Sequence, residues 1–423
     1  MQTRAIRIHG KNDLRLDTFE LPEIKEDEIL ARIVSDSLCM STYKAAIQGS
    51  DHKRIHEDIA ERPTIAGHEM CGEILKIGSK WAGKYEVGQK FAMQTALNYK
   101  GSLDAPGYSY PYVGGDATYV VVPQEVMLLD NLLRYEGDSW YAGSMSEPYS
   151  CVIGTFHAMY HTIRGSYEHE MGIREGGSMA LLAGVGPMGL AAIDYILHCD
   201  RRPGTLIVTD IDQSRLDRAE KLLSPEEASK NGVKLQYVNT GGIEDPKAAL
   251  IEMNGNKAFD DVLVFAPVPA VIELGDSLLG EDGCLNFFSG PSDTAFSARL
   301  NYYNIHYLGT HVMGTTGGNT ADMQESLDMM AEGKLNPAIL ITHIGGLDCA
   351  AETTLNLPHI PGGKKMIYTH IDLPLTAIDD FAEKGKTDPL FAKLDEICKA
   401  HNGLWCVEAE KVLLEELQPK EEA

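Results

Sequence analysis

Two groups of residues in this chain have the types and spacing to do chemistry. The first lies in Ser178-Met-Ala-Leu-Leu-Ala-Gly184-Val185-Gly186-Pro187-Met188-Gly189-Leu, an apolar strand running into G-x-G-x-x-G and then into a helix. In that setting the glycine spacing marks a dinucleotide turn. Gly184 permits the tight turn, Gly186 lets the backbone approach a pyrophosphate, and Gly189 lets helix and strand pack closely. Val185, Pro187 and Met188 complete the turn, and the helix start offers unpaired N–H groups to phosphate. A second apolar strand, 205–209, closes on Asp210, with Arg215 shortly after. An acid at that place accepts the ribose hydroxyls of NAD(H) and repels the 2′-phosphate of NADP(H), so NAD(H) is the expected cofactor.

The second group lies upstream. Cys39 ends a strand, His68 and Glu69 sit together in Ala66-Gly-His-Glu-Met-Cys-Gly72, and Glu147 precedes Pro148. Thiolate, imidazole and carboxylate together suit Zn²⁺, and a mixed set leaves room for the open position that a catalytic zinc keeps. Taken singly, each has an ordinary reading: a strand-end cysteine as core, a histidine as a satisfied polar group, a Glu-Pro pair as a helix start. Their joint occurrence ahead of a nucleotide fold points to a metal centre.

The elements that must position these residues fall into three passages. Residues 1–150 read as short alternating strands at 4–8, 14–19, 29–34, 70–77, 90–93 and 118–122, separated by turn residues, which suggests a small barrel. Residues 151–315 switch to β-α-β, with strands at 178–183, 205–209, 234–238, 261–265 and 284–288 and helices at 213–223 and 270–279, the pattern of a doubly wound parallel sheet. Residues 316–423 mix a helix at 321–332 and a strand at 364–368 with a helical tail from about 376, whose apolar residues suit packing on the first domain or on another subunit.

A chain of 423 residues suits two or three domains. Lys and Arg number 37 against 62 Asp and Glu, a net charge of −25 that argues against nucleic acid or an anionic membrane as partner. The eight cysteines form no C-x-x-C and suggest no disulfide framework, so a reducing cytoplasm is expected. The start of the chain alternates like a strand and has no signal-peptide core. The nearly uncharged stretch 179–197 holds three glycines, Pro187 and Asp194, and reads as the nucleotide-binding strand and helix, with no transmembrane segment anywhere.

With these pieces in view, residues 1–370 resemble the medium-chain zinc-dependent alcohol and polyol dehydrogenases. The resemblance rests on Cys39-Met-Ser41, Gly67-His-Glu-x-x-Gly72, Val87-Gly88-Gln-Lys, Ala117-Thr-Tyr-Val-Val-Val-Pro123, Glu147-Pro148, the glycine turn, Asp210 with Arg215-Leu216, Gly333-Lys-Leu-Asn-Pro337 and Ile341-Thr-His343. It implies an α/β protein with a GroES-like β-barrel catalytic domain (1–150), a Rossmann NAD(P)-binding domain (151–315) and a return to the catalytic domain with a helical C-terminal tail (316–423). The Glu-Pro glutamate leans towards the sorbitol-dehydrogenase branch. Cys-Met-Ser-Thr-Tyr-Lys44, the long 93–117 loop and the tail Gly385-Lys-Thr-Asp-Pro-Leu-Phe with Asn402-Gly-Leu-Trp405 are similar to a narrower group, the L-sorbose 1-phosphate reductases.

What the resemblance implies is hydride transfer between a ketose, expected to be phosphorylated, and its polyol, in a homo-oligomer. The rival readings are an unphosphorylated secondary alcohol, as in a sorbitol- or threonine-dehydrogenase-like enzyme, and a non-catalytic nucleotide-binding relative. Cys39, His68 and either or both of Glu69 and Glu147 would hold zinc: Glu69 as a direct ligand, Glu69 behind the metal and exchanging with Glu147, or Glu147 through water. Ser41 would contact the substrate oxygen and pass its proton on. Lys44 stands where the family often has a histidine that ends the relay, and it either completes that relay or binds a substrate anion. In so acidic a chain a sugar phosphate needs local cations, and the insertion carrying Lys53 and Arg54 supplies them.

The chain departs from the family in three places. The stretch 93–117, where a four-cysteine structural zinc lobe is expected, has tyrosines and no cysteine, so one zinc per chain is the expectation. Met40 replaces the usual glycine after the first cysteine, and Thr42 replaces the usual aspartate.

Overall fold

The chain leaves its first folding unit at Glu147 and returns to it at Asn319. Met1–Glu147 and the segment from Asn319 onward form one compact unit, and Pro148–Gly318 forms the second. The computed structural model describes residues 1–163 and 165–417, so the end of the expected tail, 418–423, lies outside the described residues.

The second unit is built on six parallel strands in the order Lys234–Asn239, Thr205–Asp210, Ser178–Leu182, Phe259–Val264, Leu279–Phe287, His311–Gly314. This is the Rossmann order, with the strand leading to the glycine turn at the centre. Its apolar runs are buried on both faces, as crossover helices require: Ala180, Leu182, Ile207, Val262, Val264 and Leu285 meet in one core. The strands at 178, 205 and 234 and the helices Gln213–Leu222 and Pro269–Leu278 lie where hydrophobic periodicity places them, whereas Phe259–Val264 and Leu279–Phe287 overlap the expected 261–265 and 284–288 but start earlier. The outer strand His311–Gly314 and the hairpin Tyr160–Thr162 with His169–Met171 carry too few apolar residues to stand out in the sequence.

The first unit holds an eight-stranded sheet and a three-stranded one. In the larger, the strand Ile29–Leu38 pairs antiparallel with Cys71–Ile77, Tyr119–Val122 and Lys364–Tyr368. The alternation of the N-terminal strands reflects one buried face: Ile29, Ala31, Ile33, Ile74, Phe91, Val120 and Val122 meet inside. The fold is therefore α/β, a GroES-like barrel unit with a Rossmann unit. Beyond the barrel, the tail forms helices Pro389–Ala400 and Val407–Leu417. Leu394, Trp405, Ala409 and Leu413 are fully buried, so the tail completes the first unit. No helix among the described residues is long and apolar enough to cross a membrane.

Candidate metal centre and nucleotide turn

The strand registers explain why distant residues meet. Ile29–Leu38 ends one residue before Cys39, which becomes the N-terminal boundary of the helix Met40–Gln48. Its antiparallel neighbour begins at Cys71, with Ser35 opposite Cys71, so His68 and Glu69 fall beside the same strand end. On the other side Lys365 pairs with Leu38, which puts Lys364 level with Cys39. Three strands thus deliver Cys39, His68, Glu69 and Lys364 to one edge of the sheet.

The donor atoms of Cys39, His68 and Glu69 all lie within 4.8 Å of one another. His68 and Glu69 are buried, at 5% and 1% exposure, and Glu69 Oε2 has no hydrogen-bond partner. A thiol, an imidazole and a spare buried carboxylate oxygen at that spacing fit a zinc ion. Burial pushes the Cys39 thiol up to about 11, with Lys364 pulling it down, so a metal must displace its proton. Burial holds the His68 imidazole below its ordinary value against the opposing pull of Glu147 and Glu69, which keeps it in the neutral, ligating form.

Glu147 is not in that tight group. It lies in the helix Trp140–Ala158, buried at 7% exposure, and its charge acts on Cys39, His68 and Lys364. The Glu-Pro pair is no helix start: Pro148 lies inside the helix. Ser144, one turn before Glu147, anchors that helix, with its Oγ 2.7 Å from Ser35 Oγ and donating to Ser35 O at 3.1 Å. Ser326 Oγ also donates to Ser146 O at 3.1 Å.

Lys364 was not legible in the sequence as a site residue. Its Nζ donates to Glu69 Oε1, with both side chains buried. A divalent cation among Cys39, Glu69 and Glu147 would face three negative charges, and Lys364 supplies the balancing third positive one. Opposite charges so close raise the Lys364 pKa despite a burial penalty. Behind Glu69, Asp36 Oδ1 accepts the Glu69 backbone N–H at 2.8 Å. Burial raises the pKa of both Asp36 and its neighbour Asp116; the charges of Asp116 and Glu69 add to the rise at Asp36, whereas the hydrogen bond with Asp36 opposes it at Asp116.

Thr42, which departs from the family pattern, keeps a polar contact with the ring: its Oγ1 lies 3.1 Å from His68 Nδ1. Tyr108, from the tyrosine-rich stretch, places its hydroxyl 3.2 Å from His68 Nδ1 and 3.3 Å from Nε2. Ser41 and Lys44 follow Cys39 in the helix Met40–Gln48, and Ser41 is a hydrogen-bond neighbour of both Cys39 and Tyr108. Burial lowers the Lys44 pKa, Cys39 raises it, and Lys53 lowers it further. Lys53 and Arg54 follow in the turn after that helix.

In the second unit, Gly184 donates to Thr209 O at 2.9 Å, and a Cβ at Gly189 would stand 2.1 Å from Gly184 O, so only glycine fits there. Gly186 bounds the helix Pro187–His198, with Pro187 at its first position, and a Cβ at Gly186 would meet nothing within 4 Å. Val185 is buried, while Pro187 and Met188 are partly exposed beside it. Asp210 Oδ1 accepts the Ile211 and Asp212 N–H groups at 2.8 and 3.1 Å, which fixes the carboxylate at the strand end. Arg215, half exposed, lies 3.6 Å from Asp212 in the next helix.

Comparison with known proteins agrees with this architecture. Residues 25–130 match the family model of the alcohol dehydrogenase GroES-like domain. Mannitol-1-phosphate 5-dehydrogenase of Aliivibrio fischeri is 50% identical over 414 residues, covering 98% of each chain. L-sorbose 1-phosphate reductase of Klebsiella pneumoniae is 48% identical over 412 residues, covering 97% of each. Among solved structures, 2R,3R-butanediol dehydrogenase from Bacillus subtilis superimposes with a TM-score of 0.68 at 20% identity, over 86% of this chain and 99% of that one.

Proposed function

The chain belongs to the medium-chain zinc-dependent alcohol and polyol dehydrogenase family, and we propose that it interconverts a phosphorylated ketose and its polyol with NAD(H) and one zinc per chain. That it is an oxidoreductase of the polyol and sugar-phosphate class follows from the full-length relatives. The finer reading is carried by one observation: Cys39, His68 and Glu69 converge beside a compensating lysine in a chain that also bears an NAD-type turn.

Cys39, His68 and Glu69 or Glu147 would hold a zinc ion, which would supply Lewis acidity for a substrate oxygen. NAD(H) at the glycine turn would supply the hydride chemistry. The chain's own residues bind, orient and move protons. Thr42 fixes the His68 ring, and Lys364 and the Asp36 carboxylate fix Glu69. Ser41 takes the hydroxyl proton of the substrate as it hands on its own. Gly184, Val185, Gly186, Pro187, Met188 and Gly189 cradle the pyrophosphate, and Asp210 holds the ribose hydroxyls, with Arg215 alongside. Among the described residues no disulfide joins the cysteines, which suits a reducing cytoplasm.

The two full-length relatives leave two spacings open. One name describes a polyol phosphorylated on carbon 1 and oxidised at carbon 5; the other describes a ketose phosphorylated on carbon 1, beside its carbonyl. The test is NADH oxidation with L-sorbose 1-phosphate beside L-sorbose. A large preference for the ester supports a sugar-phosphate enzyme. Equal rates would favour the second reading, an unphosphorylated polyol enzyme like the sorbitol dehydrogenases that share 22–28% identity over about half of this chain.

A further inference from the structure

Tyr108 connects the metal-ligand cluster to the basic segment that follows the helix Met40–Gln48. The side chain is 5% exposed, and its hydroxyl meets the His68 ring. The same aromatic ring stacks on His52, with centroids 5.7 Å apart and an interplanar angle of 9°. Arg54 lays its guanidinium over that ring, 5.4 Å from the centroid. A guanidinium on an aromatic face is fixed in orientation while its N–H groups stay available. Among the described residues neither Lys53 nor the Arg54 guanidinium pairs with a carboxylate, in a chain with a net charge of −25.

A second route leads to the same place. Lys44 is five residues past Cys39, and its charge interacts with Cys39 on one side and Lys53 on the other. Arg54 in turn reaches the His68 imidazole electrostatically. His52 sits among these cations; burial and the charges of Arg54, Lys53 and Lys44 push its pKa down to about 4, so the ring is neutral. Its Nδ1 accepts the Arg54 backbone N–H at 3.3 Å, which leaves Nε2–H as a donor. Cations and a neutral donor therefore gather one side chain away from the metal ligands.

We propose that Lys44, His52, Lys53 and Arg54, braced by Tyr108, form the subsite for the substrate phosphate, and that this phosphate sits on the carbon adjacent to the one oxidised or reduced. The proposal rests on the sugar-phosphate reading above and chooses between its two spacings. A phosphate next to the reacting carbon stays close to whatever holds the reacting oxygen. His68, Tyr108 and Arg54 follow one another at 5.0 and 5.4 Å, so the subsite begins one aromatic ring from the metal ligands, which favours the shorter spacing. Arg recognises a phosphate dianion by paired N–H donors, and Lys adds charge.

The experiment compares kcat/KM with NADH for the zinc-loaded protein on D-fructose 1-phosphate, D-fructose 6-phosphate and D-fructose. The expected order puts the 1-phosphate at least about tenfold ahead of both others, the scale of one charge-assisted hydrogen bond. Arg54→Ala and Lys53→Ala should each collapse that ratio, chiefly through KM, while Arg54→Lys retains part of it. A preference for the 6-phosphate would overturn the subsite and leave the sugar-phosphate reading intact. So would a 1-phosphate preference untouched by either alanine variant in folded protein. Turnover of none of the three ketoses, nor of L-sorbose 1-phosphate, would remove the substrate reading itself, and the subsite with it.

Discussion

Lys364 and Glu69 form an ion pair in which the two side chains are only 6% and 1% exposed. The residues are far apart in sequence and meet because the strands Lys364–Tyr368 and Cys71–Ile77 flank the strand that ends at Leu38. Removing one partner of a buried pair leaves the other charge uncompensated, at a cost of ~3–5 kcal/mol. Lys364→Met is therefore expected to lower the urea midpoint and to be purified with little zinc, while Lys364→Arg retains both. Full zinc content and an unchanged midpoint in the methionine variant would leave the pair without a role in the metal site.

Cys39→Ser and His68→Ala should each abolish turnover and leave NADH binding near normal, because the ligand cluster and the glycine turn belong to different folding units. Fluorescence titration with NADH and a rate assay on the same preparations check this. Near-normal rates in either variant would sink the zinc mechanism.

Asp210→Ala should relax the preference for NADH over NADPH by roughly tenfold in kcat/KM, the worth of a charge-assisted hydrogen bond and of a removed repulsion. The carboxylate is tied to the Ile211 and Asp212 N–H groups, so the loss also loosens the turn after the strand. An unchanged cofactor ratio would place the ribose contact elsewhere.

Glu410 gives a pH prediction. Its carboxylate accepts the Trp140 and Tyr141 N–H groups at 2.7 and 2.8 Å and the Tyr368 hydroxyl at 2.8 Å, at the start of the helix that carries Glu147. Burial raises its pKa to about 7 in spite of these donors. The folded protein thus holds a proton that the unfolded chain releases near pH 4.5. The stability from this proton is full below that value and is lost as pH rises through about 7. Glu410→Gln loses an acceptor for backbone N–H and should be destabilised by ~1–3 kcal/mol. Its deficit against the parent should shrink between pH 5 and pH 8, as read from unfolding midpoints. A deficit that grows over that range would show that the carboxylate enters the fold charged.

The strand-and-helix order, the glycine turn and the residue types of the metal site were legible in the amino-acid sequence. These are local: period-two alternation declares a half-buried strand, and the apolar run from Ser178 into Gly184, Gly186 and Gly189 declares its own turn. Cys39, His68 and Glu69 could be picked out because thiol, imidazole and carboxylate are the ligand chemistries of zinc, and sequence likeness arranged them into one site. The sequence left open how Glu69 and Glu147 divide the work.

Tertiary structure decided the rest, through contacts that depend on strand register and not on spacing along the chain. Register alone brings Lys364 to Glu69, and a long loop alone brings Tyr108 to His68 and Arg54. The tail reads from sequence as an apolar-striped helix with two possible docking partners. Only the fold shows that Glu410 ends up capping the helix of Glu147, because a buried carboxylate must find N–H donors and those at Trp140 and Tyr141 were free to give.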